Sequence, residues 1–465
     1  MRFCMSLVML LGMTLAHAVD MAMPNRHWVA SWTGSVHGPY PIGNPSAQPN
    51  LSLAFPSPES GARDQTLRMI VRPDIFGPRA RIRLSNALGT KPVTFDGVFV
   101  GLQLSGAEVM RGTNRPVSFA GKNAVTIAPG DSAWSDPIAL PFVAESSNLA
   151  LAGRKLAVSF HVAGESGPMT WHAKALQSSY LTAPGAGAQG HVESEAAFPF
   201  STTSWYFLDA IEMEAGADTH AIVAFGDSIT DGTASTLNGD DRWPDVLSRR
   251  LHAAYGNRVS VVNAGIGGNQ VVGPAEYTAQ KPFPGGPAAG LRLERDVLSL
   301  SGVSTVIWLE GINDFSKNGN ASFEAVENGM RDIVGRIRAR IPGVRVIGAT
   351  VTSAFGSSVL RMVFQSRTKS ASVLTNSFAL RACLTASPIS IALRWIRKPA
   401  ACARSSCRRA QQAGQATSCI RIASGTRRWA RRLILVCWYH VQAWHRGLSA
   451  LERYNSGSCD CADYR

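Results

Sequence analysis

Three short polar blocks, each closing an apolar run, hold the residues whose types and spacing suit catalysis. The first is Gly226-Asp227-Ser228-Ile229-Thr230-Asp231-Gly232, which follows the run Ala221-Ile-Val-Ala-Phe225. A serine on a strand-to-helix turn can expose its Oγ, and the first turn of the following helix leaves N–H groups free to meet an anion. The same residues also suit a plain helix cap, the commoner use of Ser and Asp at such a place. The second block is Asn263-Ala-Gly-Ile-Gly-Gly-Asn269. Its glycines let a backbone N–H approach a ligand without interference from a Cβ, although a simple tight turn needs them equally. The third is Trp308-Leu-Glu-Gly-Ile-Asn-Asp314, where the Asn313 amide offers donors to a developing oxyanion.

Two kinds of element are expected to carry these blocks. After Asp218, strand-length apolar runs (221–225, 259–262, 303–309 and 344–349) alternate with helical patterns at 243–255, 291–300 and 323–341. That βαβα rhythm predicts a parallel sheet covered on both faces, with polar residues gathered at the carboxyl ends of its strands. Upstream, from Trp28 to about Ala215, short alternating runs such as Leu67-Arg-Met-Ile-Val-Arg72, Ala80–Leu84, Val93–Leu102 and Lys155–His161 are separated by Gly, Pro, Asn and Asp. Period-two alternation predicts an antiparallel β-rich domain, with a loop over 184–190. His161 and His172 lie singly on these strands and read as packed or solvated side chains.

Three polar blocks in succession are far more specific than any one of them. Over about Ala221 to Thr352 the chain resembles the SGNH (GDSL) hydrolase family, through Gly226-Asp227-Ser228-Ile229, Asn263 to Asn269, and Gly311-Ile312-Asn313-Asp314. The resemblance implies an α/β fold with a flavodoxin-like parallel sheet in three α/β/α layers, preceded by the β-rich domain. The opening Trp28-Val-Ala-Ser-Trp32 resembles the accessory domain of secreted bacterial members. It further implies Ser228 as nucleophile and an oxyanion hole of the Ser228 N–H, the Gly268 N–H and the Asn313 side chain, with Asp227, Gly311 and Asp314 in support. The chemistry implied is acyl transfer: Ser228 attacks an ester carbonyl and water releases the acyl group. No cofactor or metal is implied.

A serine nucleophile needs a base, and here the chain departs from the family. The family's Asp-x-x-His, followed by Pro-Asn and Gly-Tyr, is missing: no acidic residue occurs between Asp332 and Glu452, and neither His440 nor His445 has an Asp three residues earlier. The triad Asp and His are therefore unassigned. The net charge of +14, from 46 Lys and Arg against 32 Asp and Glu, has the same address. From Arg361 onward there are 18 basic and 3 acidic residues, leaving 28 and 29 before it. Seven of the eight cysteines also fall there (Cys383, Cys402, Cys407, Cys419, Cys437, Cys459 and Cys461), with no paired CxxC spacing for a zinc site and an odd number for disulfides.

Codon logic accounts for the coincidence. Moved back by one base, the codons compatible with Gln415 to Ile422 permit Gly-Asp-Lys-Leu-His-Pro-Asn, and those of Ala423 to Ala430 permit Arg-Val-Gly-Tyr-x-Ala-Met-Gly. That is the absent block, in order. Some steps leave little freedom, since Trp429-Ala430 forces Gly and Cys419-Ile420 allows only His or Tyr. The chain is expected to leave its ancestral frame between about Thr352 and Thr375, so that 356–465 is an out-of-frame tail.

Residues 1–18 combine Arg2, the apolar run Leu7 to Leu11 and Ala16-His17-Ala18, the pattern of a secretory signal peptide cleaved near Ala18. A secreted or periplasmic location follows, and no later apolar run reaches the roughly 18 residues of a membrane span. The expected divisions are a signal peptide at 1–18, a β-rich domain at 25–215, a hydrolase domain at 219–355 and the tail at 356–465. The expected activity is a serine esterase or deacylase acting on small-molecule or polysaccharide esters, impaired because the base is missing. The competing expectation is a catalytically inactive carbohydrate- or surface-binding protein. Nucleic-acid binding through the basic tail ranks last, and no nucleic-acid partner is expected.

Overall fold

A computed structural model describes residues 26–143 and 149–351 of the chain. The expected signal peptide, the tail with its cysteines and the proposed change of frame lie outside the described residues.

The upstream region is built from β1 (Arg26–Thr33), β2 (Arg63–Val71), β3 (Arg79–Ser85), β4 (Val93–Ser105), β5 (Leu156–Glu165) and β6 (Leu208–Gly216). One antiparallel sheet has the order β1-β6-β3 and the other is centred on β2-β5-β4, each extended by shorter strands. Alternation explains how the second sheet is covered on both faces. Leu67, Met69 and Val71 of β2 enter the main core, while Ile70 packs with Val109 and Ala157 on the opposite side. Residues 184–190 form no strand, in keeping with the loop expected there.

Downstream come β7 (His220–Gly226), α1 (Ser228–Asp231), α2 (Trp243–Tyr255), β8 (Val259–Gly265), α3 (Ala289–Leu293), β9 (Val303–Leu309), α4 (Phe323–Arg340) and β10 (Arg345–Gly348). The four strands are parallel in the order β8-β7-β9-β10, with Val223 opposite both Val262 and Val306. Gly226 is thereby level with Gly265 on one side and Leu309 on the other, so the three polar blocks emerge side by side. Helix α4 starts at Ser322, whose side chain accepts from the Ala325 N–H at 3.1 Å. It buries Val326, Met330, Ile333 and Ile337, one face at helical spacing, and ends among Arg338 and Arg340, which suit the negative end of its dipole.

One expected helix differs. The pattern over 291–300 is α-helical only through α3 and continues as a π-helical turn, Glu294–Leu298. Its wider winding accompanies an unusual demand, because successive polar residues are bound on different sides. Arg292 pairs with Asp296 at 3.0 Å inside the sheet end, while Arg295 reaches the Val36 carbonyl of the upstream region at 2.7 Å.

The apolar core runs without interruption from Val29 of β1 to Ile337 of α4. Polar bonds stitch the same junction. The Ala30 N–H donates to Ser301 O at 3.0 Å, Ser260 Oγ donates to Ala30 O at 2.7 Å, and Thr33 Oγ1 donates to Asn263 O at 2.8 Å. Buried Arg83 of β3 bonds Asp209 at 2.6 Å and also reaches Ser299 Oγ and Arg295 O. Burial pushes the Asp209 carboxyl up, and Arg83 opposes that shift. Replacing Arg83 with Leu leaves Asp209 buried without its partner. The expected result in urea denaturation is a loss of about 3–5 kcal/mol of unfolding free energy.

Candidate active site

Ser228 opens α1 at the end of β7, half-buried, and among the described residues its Oγ makes no hydrogen bond. Asp227 caps the helix: its backbone is extended and its carboxylate accepts from the Ile229 N–H at 2.9 Å. The Ser228 N–H has no acceptor among the described residues, as befits the first turn of a helix.

The glycine block follows β8. Gly268 has φ +89°, in the region that only glycine adopts easily, and its N–H likewise has no acceptor among the described residues. Its neighbours are firmly held. The Gly267 N–H donates to Asp231 Oδ2 at 2.7 Å, and Asn44 Nδ2 donates to Gly267 O at 2.8 Å. The Asn269 side chain donates to Gly285 O and Pro287 O, both at 2.7 Å, and accepts from Arg292 Nε at 2.8 Å.

The third block meets the second directly. Gly311, φ +117°, turns the chain after β9. Asn313 Nδ2 donates to Asn269 O at 2.9 Å, which leaves its second N–H available. Asp314 is fully buried and accepts from the Val271 and Val272 N–H groups at 2.9 and 3.0 Å. The six residues expected from the sequence thus lie on the three turns that follow adjacent strands: Ser228, Gly268 and Asn313 carry spare donors or a free hydroxyl, while Asp227, Gly311 and Asp314 shape the turns.

Beneath this assembly is a patch of acids around one cation. Asp227, Glu310 and Asp314 are all buried. Burial pushes Asp227 well above the ordinary carboxylate range, with Glu310 and Asp314 adding to the effect. Burial also raises Glu310 to about 7, against the pull of Arg292 and of the Trp308 indole N–H, which donates to it at 2.7 Å. Asp314 is raised to about 6 by burial despite its two backbone donors.

A histidine and a carboxylate also meet one helical turn from Ser228. His172 Nε2 lies 3.3 Å from Oδ1 of Asp231, one helical turn after the serine. Its Nδ1 faces the Ser35 carbonyl at 2.8 Å. Both ring nitrogens thus meet acceptors in a buried setting, so neither is placed to take the serine proton. Burial pushes Asp231 up, but His172, Lys174 and Arg242 together hold it below the usual carboxylate range. Of the two expectations for the strand histidines, packed or solvated, His172 follows the first, and His161 is similarly held between Asp96 and Asp64 at 2.5 and 2.8 Å. Asn44, Lys174 and Arg292 carry no signal in the sequence because they stand far along the chain or outside the three blocks, whereas Asp231 and Glu310 lie within the blocks.

Residues 224–379 match the model of the GDSL-like lipase/acylhydrolase family. This part of the chain is similar to that family. Its fold is accordingly the GDSL/SGNH hydrolase fold, preceded here by the β-rich region, and the family's general chemistry is ester hydrolysis. A lipase/acylhydrolase from Enterococcus faecalis is 23% identical over 35% of this chain and 72% of its own, with a TM-score of 0.27. A carbohydrate acetylesterase from Sinorhizobium meliloti is 18% identical over 35% and 81%, with a TM-score of 0.27. An aryl esterase from M. smegmatis is 16% identical over 36% and 80%, with a TM-score of 0.28. No curated protein matches the chain. Among the described residues of this GDSL-like chain, no His, Cys, Asp and Glu group could hold a metal, and no helix is long and apolar enough to cross a membrane.

The acid patch has a measurable signature. A carboxyl raised on folding stabilises the fold fully below its ordinary value, and that stability is lost as pH rises through the raised one. For Glu310 the window runs from the ordinary 4.5 to about 7. Unfolding free energy should therefore fall across it, and Glu310→Gln should remove about 3 kcal/mol of that fall. Denaturation curves at pH 4.5 and pH 8 for both proteins check this; equal pH dependence would contradict it.

Proposed function

We propose that the protein is an exported serine ester hydrolase in which Ser228 is the nucleophile, and that this chain is catalytically impaired. The observation that carries the reading is the set of spare donors beside a free serine hydroxyl. The N–H groups of Ser228 and Gly268 have no acceptor among the described residues, although the turns that bear them are otherwise densely bonded. Fixed donors without a ground-state partner are what a developing oxyanion requires, because they need no reorganisation when charge appears.

In this mechanism Ser228 Oγ attacks the carbonyl carbon of an ester, and the Ser228 N–H, the Gly268 N–H and Asn313 Nδ2 receive the oxyanion. Collapse of the tetrahedral adduct expels the alcohol, and water then releases the acid. Asp227 fixes the serine turn through the Ile229 N–H, while Gly311 and Asp314 fix the approach of the third block. The sheet order β8-β7-β9-β10 supports a flavodoxin-like arrangement in which helices cover both faces. The substrate class is a small-molecule or polysaccharide ester.

The base is the missing member. His172 is committed to Ser35 and Asp231 and is buried at 3% exposure, so it is no substitute. The absence of Asp-x-x-His from the sequence supports a departure from the ancestral frame. The N-terminal Arg2, apolar run and Ala16-His17-Ala18 support export.

Hydrolysis of p-nitrophenyl acetate tests the reading. This chain should retain a small rate that Ser228→Ala abolishes. Restoring the frame upstream of Thr375 should raise kcat at least about a thousandfold, the order of magnitude that a triad contributes. Equal activity in the two frames, or a rate indifferent to Ser228→Ala, would overturn it; a biological effect that survives Ser228→Ala would favour the binding protein instead.

A further inference from the structure

Within the glycine block Gly267 is held at both ends, its N–H by Asp231 of the hydrolase portion and its carbonyl by Asn44 of the β-rich region. Asp231 Oδ2 accepts the Gly267 N–H at 2.7 Å. That carboxylate is backed by His172 and Lys174, both from the β-rich region, and Lys174 Nζ also donates to Thr233 Oγ1 at 2.7 Å. On the other side of Gly267, Asn44 Nδ2 donates to its carbonyl at 2.8 Å and to Pro284 O at 3.2 Å. Asn44 lies 223 residues from Gly267 in sequence.

The second contact matters because of peptide geometry. In a trans peptide the C=O and N–H vectors are antiparallel and coplanar, and the Gly267–Gly268 bond is not among the cis bonds of the chain. Fixing the Gly267 oxygen therefore fixes the direction of the Gly268 N–H. A peptide between two glycines flips more readily than any other, because neither flanking residue has a Cβ to oppose the change in φ and ψ. Something outside the block must hold it, and Asn44 is the group that touches the relevant oxygen. The fit is close: a Cβ on Gly268 would lie 3.0 Å from Asn44 Nδ2.

We infer that Asn44 is a positioning residue that aims the Gly268 N–H, so that the oxyanion site is completed by the β-rich region rather than by the hydrolase portion alone. The inference rests on the reading of Gly268 as an oxyanion donor. Asn44→Asp tests it, being isosteric but unable to donate to the Gly267 carbonyl. In a crystal structure of the full-length variant the Gly267–Gly268 peptide should be turned or split between two orientations. Ser228-dependent hydrolysis of p-nitrophenyl acetate, measured on this chain and on its frame-restored form, should lose about tenfold in kcat, with KM changed less than twofold. A transition-state donor predicts that split, whereas general loosening of the fold would move both constants or the melting temperature.

Asn313→Ala is the companion variant. An unmoved peptide in Asn44→Asp overturns the inference whatever the activity. A turned peptide with full kcat, while Asn313→Ala lowers kcat, overturns the aiming role and spares the oxyanion reading. Indifference of kcat to both variants removes the oxyanion reading itself.

Discussion

The guanidinium of Arg292 sits dry at the carboxyl end of the sheet, with no exposed surface. Burying a charge costs several kcal/mol unless every donor is matched. Here Nη1 meets Ala264 O at 2.7 Å and Asp296 at 3.0 Å, Nη2 meets Gly226 O at 2.9 Å, and Nε meets Asn269 Oδ1 at 2.8 Å. The cation also lies 4.1 Å from the centre of the Phe225 ring. The acceptors belong to the end of the nucleophile strand, the end of the next strand and the glycine block. A single fixed charge thus sets the spacing of the elements on which the serine and its spare donors depend. The third block then joins through Asn313 and Asp314, which bond the backbone of residues 269, 271 and 272.

The same charge faces more acid than it can neutralise. Asp296 is held below the ordinary carboxylate range against its own burial by Arg295 and Arg292, whereas Asp227, Glu310 and Asp314 stay raised. Among the described residues, one oxygen of Asp227 and one of Glu310 have no hydrogen-bond partner. A protonated carboxyl in that setting is far cheaper than a second buried anion. The floor of the site is therefore close to neutral at low pH and increasingly strained as it ionises.

Much of this was legible along the chain. The helix over 243–255 and the strand over 303–309 appear with the bounds expected, because a clean period and clear punctuation leave little choice. The blocks that hold Ser228, Gly268 and Asn313 were legible for the same reason, since each follows a strand with a clear apolar run. Other features were hidden by distance. Asn44 looks like any loop asparagine until the fold brings Gly267 to it, and His172 looks like a strand histidine until α1 arrives with Asp231. The π-helical turn after α3 was hidden differently: Arg292, Arg295 and Asp296 have the spacing of an exposed helical face, and only the tertiary structure makes them internal.

The uninterrupted core between β1 and α4 bears on how such proteins can be inherited. A β-rich segment joined by a simple linker can be exchanged between genes as a cassette. Here β1 lies against β8, and Asp74 accepts from the Val261 N–H at 2.6 Å while also binding Ser248 and His252, so the boundary near Gly216 is a seam within one packed body. Recombination at that seam would pair two surfaces shaped by separate histories. Lineages of this protein should therefore carry the two portions together, and substitutions on one side of the seam should be answered on the other.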